Sequence, residues 1–129
     1  MSEKPNGLKK FMVVVVEDEE AIRLIAAEAL ADAGFEVFEA EHADEAVSIL
    51  GKRAKEIHAL FTDVNMPGSM DGLALAHHSL RNWPWIVLLI SSGRLRPLTA
   101  HMPKGSRFLP KPYHPHHVVS HIQQLLATS

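Results

Sequence analysis

The amino-acid sequence predicts an α/β fold, in which a doubly wound, five-stranded parallel sheet is covered by helices on both faces. Two observations predict it. The run FMVVVV at 11–16 is apolar without alternation, which is typical of a strand buried on both faces, as parallel strands are. Five such strand-like runs also alternate with segments of helical periodicity, which is the pattern of βαβ units in one parallel sheet.

Length and composition narrow the class of protein. The 129 residues fit one domain, and we expect residues 1–10 to be a flexible lead-in to a domain at 11–129. A net charge of -2 offers no electrostatic footprint for nucleic acid or an anionic membrane. No apolar run is long enough to span a bilayer. The chain has no cysteine, which suits a cytoplasmic location. We therefore expect a cytoplasmic protein that binds neither nucleic acid nor membranes.

The first half of the chain supplies two strands and two helices. A helix is predicted over about 20–33, and its apolar stripe consists of Ile22, Ile25, Ala26, Ala29, Leu30 and Ala33. The alternating sequence FEVFE at 35–39 indicates an edge-type strand. A second helix follows, with one apolar side formed by Ala43, Ala46, Val47, Leu50 and Ala54.

The second half repeats the alternation. Strands are predicted at 58–63, 85–90 and 107–110, and helices at 72–81 and 115–127. Between the fourth and fifth strands, Pro97 and Pro103 leave room for at most about two turns of helix. So short a helix is marginal without tertiary packing. We expect this segment to be the least stable element of the fold.

Polar side chains follow the ends of four predicted strands, and they are Glu17 with Asp18, Asp63, Ser91 with Ser92, and Lys111. Ligands of open α/β sheets bind beyond the carboxyl ends of the strands. Because these ends lie at one edge of a parallel sheet, three carboxylates, a hydroxyl and an ammonium should converge there. Any one of them alone would be unremarkable as a solvated loop residue, but their joint arrangement indicates a site.

The convergence of carboxylates indicates phosphate chemistry that depends on a metal. Like charges raise one another's pKa values, and a hard cation such as Mg²⁺ (or Mn²⁺) relieves this repulsion through oxygen ligands. With the cation bound, an ionised Asp63 can attack a phosphoryl group to form an aspartyl-phosphate. Lys111 can then neutralise the transferred oxygens, and the Ser91 hydroxyl can donate a hydrogen bond to one of them.

Four motifs, VVEDE, DVNMPGSMDG, ISSGR and FLPKPY, occur in an order and spacing that are specific when taken together. In these motifs, and from about Phe11 to Ala127, the sequence resembles the receiver domain of two-component response regulators. The resemblance implies a flavodoxin-like fold with strand order 2-1-3-4-5. It also implies a phosphorylation-switched signalling module without turnover of an external substrate. Its phosphodonor would be a histidine kinase or a histidine phosphotransfer protein, and its output would be a downstream protein that the sequence does not identify.

The resemblance assigns the acceptor and the metal ligands residue by residue. Asp63 matches the phosphoacceptor. Asp18 matches the carboxylate that binds Mg²⁺ directly, and Glu17 matches the one that binds it through water. Asn65 matches the position whose backbone carbonyl reaches the metal.

The resemblance also assigns the phosphoryl-binding and switching groups. Ser91 and Lys111 match the groups that bind the phosphoryl oxygens, and the Lys111–Pro112 peptide bond is expected to be cis. Ser91 and the aromatic Phe108 match the coupled switch. We therefore expect the signal to leave through the segment 91–112 and the last helix.

Three departures from the family pattern stand out. The turn NMPGSMDG is one residue longer than the commonest form. Ser91 replaces the more usual threonine, and Glu17 replaces the commoner aspartate. None of these changes removes a required group.

Three other interpretations fit the sequence less well. An enzyme of the haloacid-dehalogenase type also uses a strand-end aspartate and Mg²⁺, but it has a second aspartate two residues later, where this chain has Asn65. A degenerate receiver that serves only as an interaction domain is expected to lack Asp63, the acidic pair or Lys111, and all are present. His117 and His121 have a spacing that can bind metal, but they fall on the polar side of their helix, so a solvated face is predicted.

Only ATS follows the closing helix, and no output module is visible. We expect either a stand-alone receiver or a receiver cut from a longer regulator or hybrid kinase.

Overall fold

The computed structural model describes residues 10–93, 97 and 99–128, and it confirms the predicted fold. Its parallel sheet has five strands in the order β2-β1-β3-β4-β5. The strands are β1 (Met12–Val16), β2 (Glu36–Ala40), β3 (Ala59–Asp63), β4 (Val87–Ser92) and β5 (Arg107–Pro110). The helices of the described ranges are α1 (Glu20–Asp32), α2 (Ala43–Arg53), α3 (Gly72–Asn82) and α4 (Pro115–Thr128). No helix within these ranges is both long and apolar enough to cross a membrane.

The continuous apolar run of β1 reflects burial on both faces of the sheet. All five residues of β1 are buried. Val14 and Val16 point into a core shared with α2 and α3, whereas Val13 and Val15 point into a core shared with α1 and α4. Since successive residues of a strand face opposite sides, a strand between two helical layers needs apolar residues at every position.

The predicted apolar stripe of α1 was wrong in part. The buried residues of this helix are Arg23, Ala26, Ala27 and Leu30. Ile25 is 50% exposed, and Ala33 is also exposed. The helix contacts β1, β2 and α4, and its alanines allow it to approach the sheet closely. The face toward the sheet therefore lies on the side of Arg23 rather than on that of Ile25.

The predicted bounds of the fourth strand were two residues too early. The strand begins at Val87, after a turn in which Ile86 N donates to Trp83 O at 3.0 Å. Trp85 is half exposed, and its indole nitrogen donates to the Ala54 carbonyl at 3.0 Å. The shift makes Ser91 the last but one residue of β4, where it pairs in register with Asp63 of β3.

The connection between β4 and β5 contains a 3₁₀ turn, Thr99–His101, and no α-helix within its described part. This agrees with the poor helical character predicted from Pro97 and Pro103. Residues 94–96 and 98 of the predicted switching segment, like the N-terminal residues 1–9, lie outside the described residues.

Gly72 brings the start of α3 into direct contact with the end of β3. Its N–H donates to Val64 O at 2.9 Å, and the Asp71 side chain caps the helix by accepting from Ala74 N at 2.8 Å. A Cβ atom at position 72 would lie 1.8 Å from the backbone oxygen of Asp63. Only glycine fits there without moving the strand end, so this contact fixes the backbone of Asp63.

We predict that Gly72→Ala lowers the free energy of unfolding by about 2 kcal/mol or more, because the added methyl group must displace backbone. Gly51→Ala is the matched control, since nothing lies within 4 Å of a Cβ in that helical position. The control should be neutral or stabilising by up to about 1 kcal/mol. Chemical denaturation of the three proteins measures both effects, and equal stabilities of the two variants would contradict the close contact.

Candidate functional site

Three carboxylates meet at the carboxyl edge of the sheet. Glu17 and Asp18 follow β1, and Asp63 ends the neighbouring strand β3. One oxygen of each carboxylate lies within 4.8 Å of the others. Glu17 is 4% and Asp63 6% exposed, whereas Asp18 is open to solvent. The three carboxylates therefore converge, as predicted from their positions at the ends of strands.

Lys111 projects into this cluster from the residue after β5. Its Nζ lies 2.6 Å from Glu17 Oε1 and 3.4 Å from Asp63 Oδ1. The backbone N–H of Lys111 donates to the Ser92 carbonyl at 3.0 Å, which anchors the residue to β4. The Lys111–Pro112 bond is cis, as expected. One ammonium therefore faces two buried carboxylates.

Glu17 is oriented by contacts on both of its carboxylate oxygens. Oε1 accepts from Lys111, and Oε2 accepts from the backbone N–H of Glu19 at 3.1 Å. Its own N–H donates to the Ala40 carbonyl of β2 at 3.0 Å. The longer side chain of glutamate thus reaches the lysine directly.

Burial sets the protonation of the cluster. It raises the pKa of Asp63, and the charge of Asp18 adds to this, although Lys111 acts in the opposite direction. Burial likewise raises the pKa of Glu17 against the hydrogen bond from Lys111. Burial opposes the charge of Lys111 too, but the hydrogen bond to Glu17 and the charge of Asp63 together raise the lysine's pKa. One ammonium therefore does not fully compensate the buried negative charge.

Two buried oxygens of the site lack hydrogen-bond partners among the described residues, and these are Asp63 Oδ1 and Ser91 Oγ. Asp63 and Ser91 are register partners on adjacent parallel strands, so their side chains project from the same side of the sheet. Buried polar atoms are normally satisfied, and an unsatisfied one needs an explanation. The donor set is made of hard oxygens and fits Mg²⁺ or Mn²⁺. The Ser91 hydroxyl could donate a hydrogen bond to an oxygen-rich group bound beside Asp63.

Asn65 is exposed in the loop after β3, and its side chain is anchored. Nδ2 donates to Ser92 Oγ at 3.0 Å. The role expected for Asn65 uses its backbone carbonyl, which this side-chain bond does not engage. Sequence reasoning missed the contact, because the two residues are far apart in the chain and only the parallel pairing of β3 with β4 brings them together.

Phe108 lies on β5 as the register partner of Ile90, one position before Ser91. It is half-buried against the core on the side of α2 and α3. Phe108 also lines a groove of about 610 Å³ with Met102 and His121 among its walls. The two expected switch residues are therefore on adjacent strands, and the aromatic ring borders open space.

Arg23 is a buried residue of the site region that sequence reasoning missed. Its position three before Ala26 and seven before Leu30 was a usable signal, because it places the side chain on the buried face of α1. The predicted solvated face holds for His117, which is exposed, but not for His121, which is half-buried with its Nδ1 3.4 Å from Arg107 Nη1. Among the described residues, the acidic cluster has the geometry of a metal site.

The chain matches a protein-family model and several known proteins. Residues 13–123 match the family model of the response regulator receiver domain. Chemotaxis protein CheY1 of Helicobacter pylori is 31% identical over 123 residues, which cover 91% of this chain and 98% of that protein. Sensor kinase CckA of Brucella abortus is 32% identical over 117 residues, which cover 88% of this chain but only 12% of the kinase.

A solved structure shows the same fold. The response regulator receiver protein from Sinorhizobium medicae superposes with a TM-score of 0.87 at 24% identity. The match covers 94% of this chain and 98% of that one. At this identity the likeness concerns the fold alone.

We predict that Asp63→Asn stabilises the protein at neutral pH in the absence of divalent cations, on the order of 1 kcal/mol. The raised pKa of Asp63 means that folding disfavours its ionised form. The penalty applies in full above the folded-state pKa and vanishes below the ordinary value near 4, so the gain should shrink as the pH falls toward about 4. Thermal melts between pH 4 and 8 test this.

Asp71→Asn is the matched control, because Asp71 is exposed and asparagine caps a helix about as well as aspartate. A stabilisation by Asp63→Asn that does not depend on pH, or that Asp71→Asn reproduces, would contradict the burial argument.

Proposed function

Because the chain belongs to the response regulator receiver domain family, we propose that it is a phosphorylation-switched module of a two-component phosphorelay, with Asp63 as the phosphoacceptor. The observation that carries this proposal is the buried oxygen Oδ1 of Asp63. Among the described residues it makes no well-aligned hydrogen bond, its contact with Lys111 Nζ at 3.4 Å is an ion pair, and it belongs to the carboxylate cluster. A carboxylate held in this way is available to bind a cation and to react.

Four residues would hold Mg²⁺ or Mn²⁺. Asp18 and Asp63 would bind it directly, Asn65 through its backbone carbonyl and Glu17 through water. The bound cation would supply positive charge that offsets the carboxylates and the transferred phosphoryl oxygens. The grouping of the three carboxylate oxygens within 4.8 Å of one another supports this assignment.

The proposed reaction is a direct phosphoryl transfer. An oxygen of Asp63 forms a bond to phosphorus while the bond from phosphorus to a histidine nitrogen breaks, and the electron pair stays with the imidazole. Lys111 would neutralise developing charge on the phosphoryl oxygens, and the Ser91 hydroxyl, which has no hydrogen-bond partner among the described residues, would donate to one of them. Asn65 carries no carboxyl group that could act as a general acid. We therefore propose that the protein switches rather than turns over an external substrate.

The phosphodonor would be a histidine kinase or a histidine phosphotransfer protein in the cytoplasm. An apolar cavity of about 430 Å³ borders Lys111 and is lined by Ile22, Ile25 and Tyr113. Its α1 wall includes the half-exposed Ile25. An apolar helical surface of the donor would cover these side chains and bring its phosphohistidine to Asp63.

We predict that acetyl phosphate with Mg²⁺ adds one phosphoryl group to the wild type and none to Asp63→Asn. Glu17 is also buried beside Lys111, but both of its carboxylate oxygens already accept hydrogen bonds, from Lys111 and from the Glu19 N–H. Intact mass spectrometry measures the addition. Asp71→Asn, in the same connection, should be modified like the wild type. An adduct that persists in Asp63→Asn, or modification that is indifferent to a chelator, would refute the proposal.

We propose that phosphorylation shifts the population between two packings of the segment 91–112 and that partners read this segment with α4. Ser91 would turn toward the phosphoryl group, and Phe108 would move into the space that it leaves. Three observations support this route: the Ser91 hydroxyl lacks a partner in the described part of the chain, Phe108 lies on the adjacent strand, and Phe108 borders a groove.

We predict that a phosphoryl mimic such as beryllium fluoride changes hydrogen-exchange protection mainly at 91–112 and in the loop after Asp63. Ser91→Ala should reduce the change, and Asp63→Asn should abolish it. If protection changes mainly in α1 and α2, or if Ser91→Ala responds like the wild type, the proposed route is wrong.

A further inference from the structure

Arg23 is a buried cation that bridges two strand ends. It lies on α1 and is 8% exposed, although arginines are seldom buried unless they are paired. Its Nη1 donates to the backbone carbonyl of Glu17 at 2.9 Å. Its Nε donates to the Glu39 carboxylate of β2 at 3.0 Å. The guanidinium thus ties α1 to the carboxyl ends of both β1 and β2.

The carbonyl that Arg23 holds belongs to the peptide that joins Glu17 to Asp18. The N–H of Glu17 is already fixed by Ala40, and its side chain is fixed by Glu19 and Lys111. With the carbonyl also bound, this residue has little freedom to rotate. Because Asp18 is exposed, its direction depends on the plane of that peptide.

We infer that Arg23 is a positioning residue for the divalent-cation site, which holds the Glu17–Asp18 peptide so that the Asp18 carboxylate stays beside Asp63. The inference rests on the proposed function, since it concerns the cation that this function requires. Groups that orient metal ligands from outside typically contribute ten- to a hundredfold to metal affinity.

The charge of Arg23 affects metal affinity in the opposite direction from its positioning role. A guanidinium near the site repels a divalent cation, so removal of its charge alone would tighten binding. Loss of positioning would weaken binding. Arg23→Lys separates the two effects, because lysine keeps the charge but lacks the planar fork that reaches two acceptors.

The test is direct Mn²⁺ binding, measured from the electron paramagnetic resonance signal of the free ion. We expect Arg23→Met to raise the dissociation constant about tenfold or more and Arg23→Lys to raise it several-fold. Arg53→Met is the matched control, because Arg53 also pairs with a glutamate, at 2.8 Å from Glu56, but lies at the last turn of α2. It should bind Mn²⁺ within about twofold of the wild type.

Stability is separated from positioning by Ile122→Val, which removes a methylene from the apolar core between α4 and the sheet. It should lower the melting temperature and leave Mn²⁺ affinity unchanged. Unchanged or tighter binding by Arg23→Met overturns the inference. If Arg23→Met does not fold, the test rests on Arg23→Lys, and an unchanged Mn²⁺ affinity of that variant overturns the inference. Failure of the wild type to bind Mn²⁺ would instead refute the proposed function.

Discussion

The Lys111 ammonium between the buried carboxylates of Glu17 and Asp63 is the interaction on which the site depends. It links the end of β5 to the ends of β1 and β3 across the carboxyl edge of the sheet. Burial raises the pKa values of Asp63 and Glu17, and the nearby ammonium of Lys111 opposes this rise without cancelling it. The protein thus keeps negative charge where burial opposes it, which costs stability and makes the site responsive to a cation or to a transferred group.

The rest of the fold holds this charge in place. The strands of the parallel sheet supply a rigid edge, because both of their faces are packed. Gly72 packs against the Asp63 carbonyl and so restrains the backbone that carries the proposed acceptor. On the other side of the cluster, Arg23 and the N–H of Glu19 restrain Glu17. Groups that are preorganised in this way need no reorganisation when charge develops, which is the main resource of phosphoryl-transfer sites.

The Ser91 side of the site is less restrained than the Glu17 side. The Ser91 hydroxyl is buried but unpartnered among the described residues, and the connection after it forms only a short 3₁₀ turn in its described part. In the proposed switch, a new hydrogen bond to Ser91 would act on this connection, which we expect to be the least stable element of the fold. The proposed acceptor and the proposed switch residues lie within one strand position of each other, since Asp63 and Ser91 are register partners and Phe108 pairs with the residue before Ser91.

The fold and the acidic site could be predicted because their signals are local. The uninterrupted apolar run of β1 indicates burial on both faces, and polar residues directly after strands indicate the functional edge. The buried face of α1 and the start of β4 were harder to predict. Trp85 and Ile86 are as apolar as the strand that they precede, so composition could not show that a turn ends there. Burial of Arg23 depends on the Glu17 carbonyl after β1 and on Glu39 of β2. Helical periodicity carries no information about such partners, because they lie outside the helix.

Burial destabilises the ionised form of Asp63, and a bound cation would compensate for this. The most direct test is a pH titration of the side-chain carboxyl carbon of Asp63 by ¹³C NMR, with and without Mg²⁺. Without the metal, Asp63 should titrate above the ordinary aspartate range, and saturating Mg²⁺ should move its pKa below that range, because the cation favours the ionised form. An ordinary pKa that Mg²⁺ leaves unchanged would contradict this account of the site.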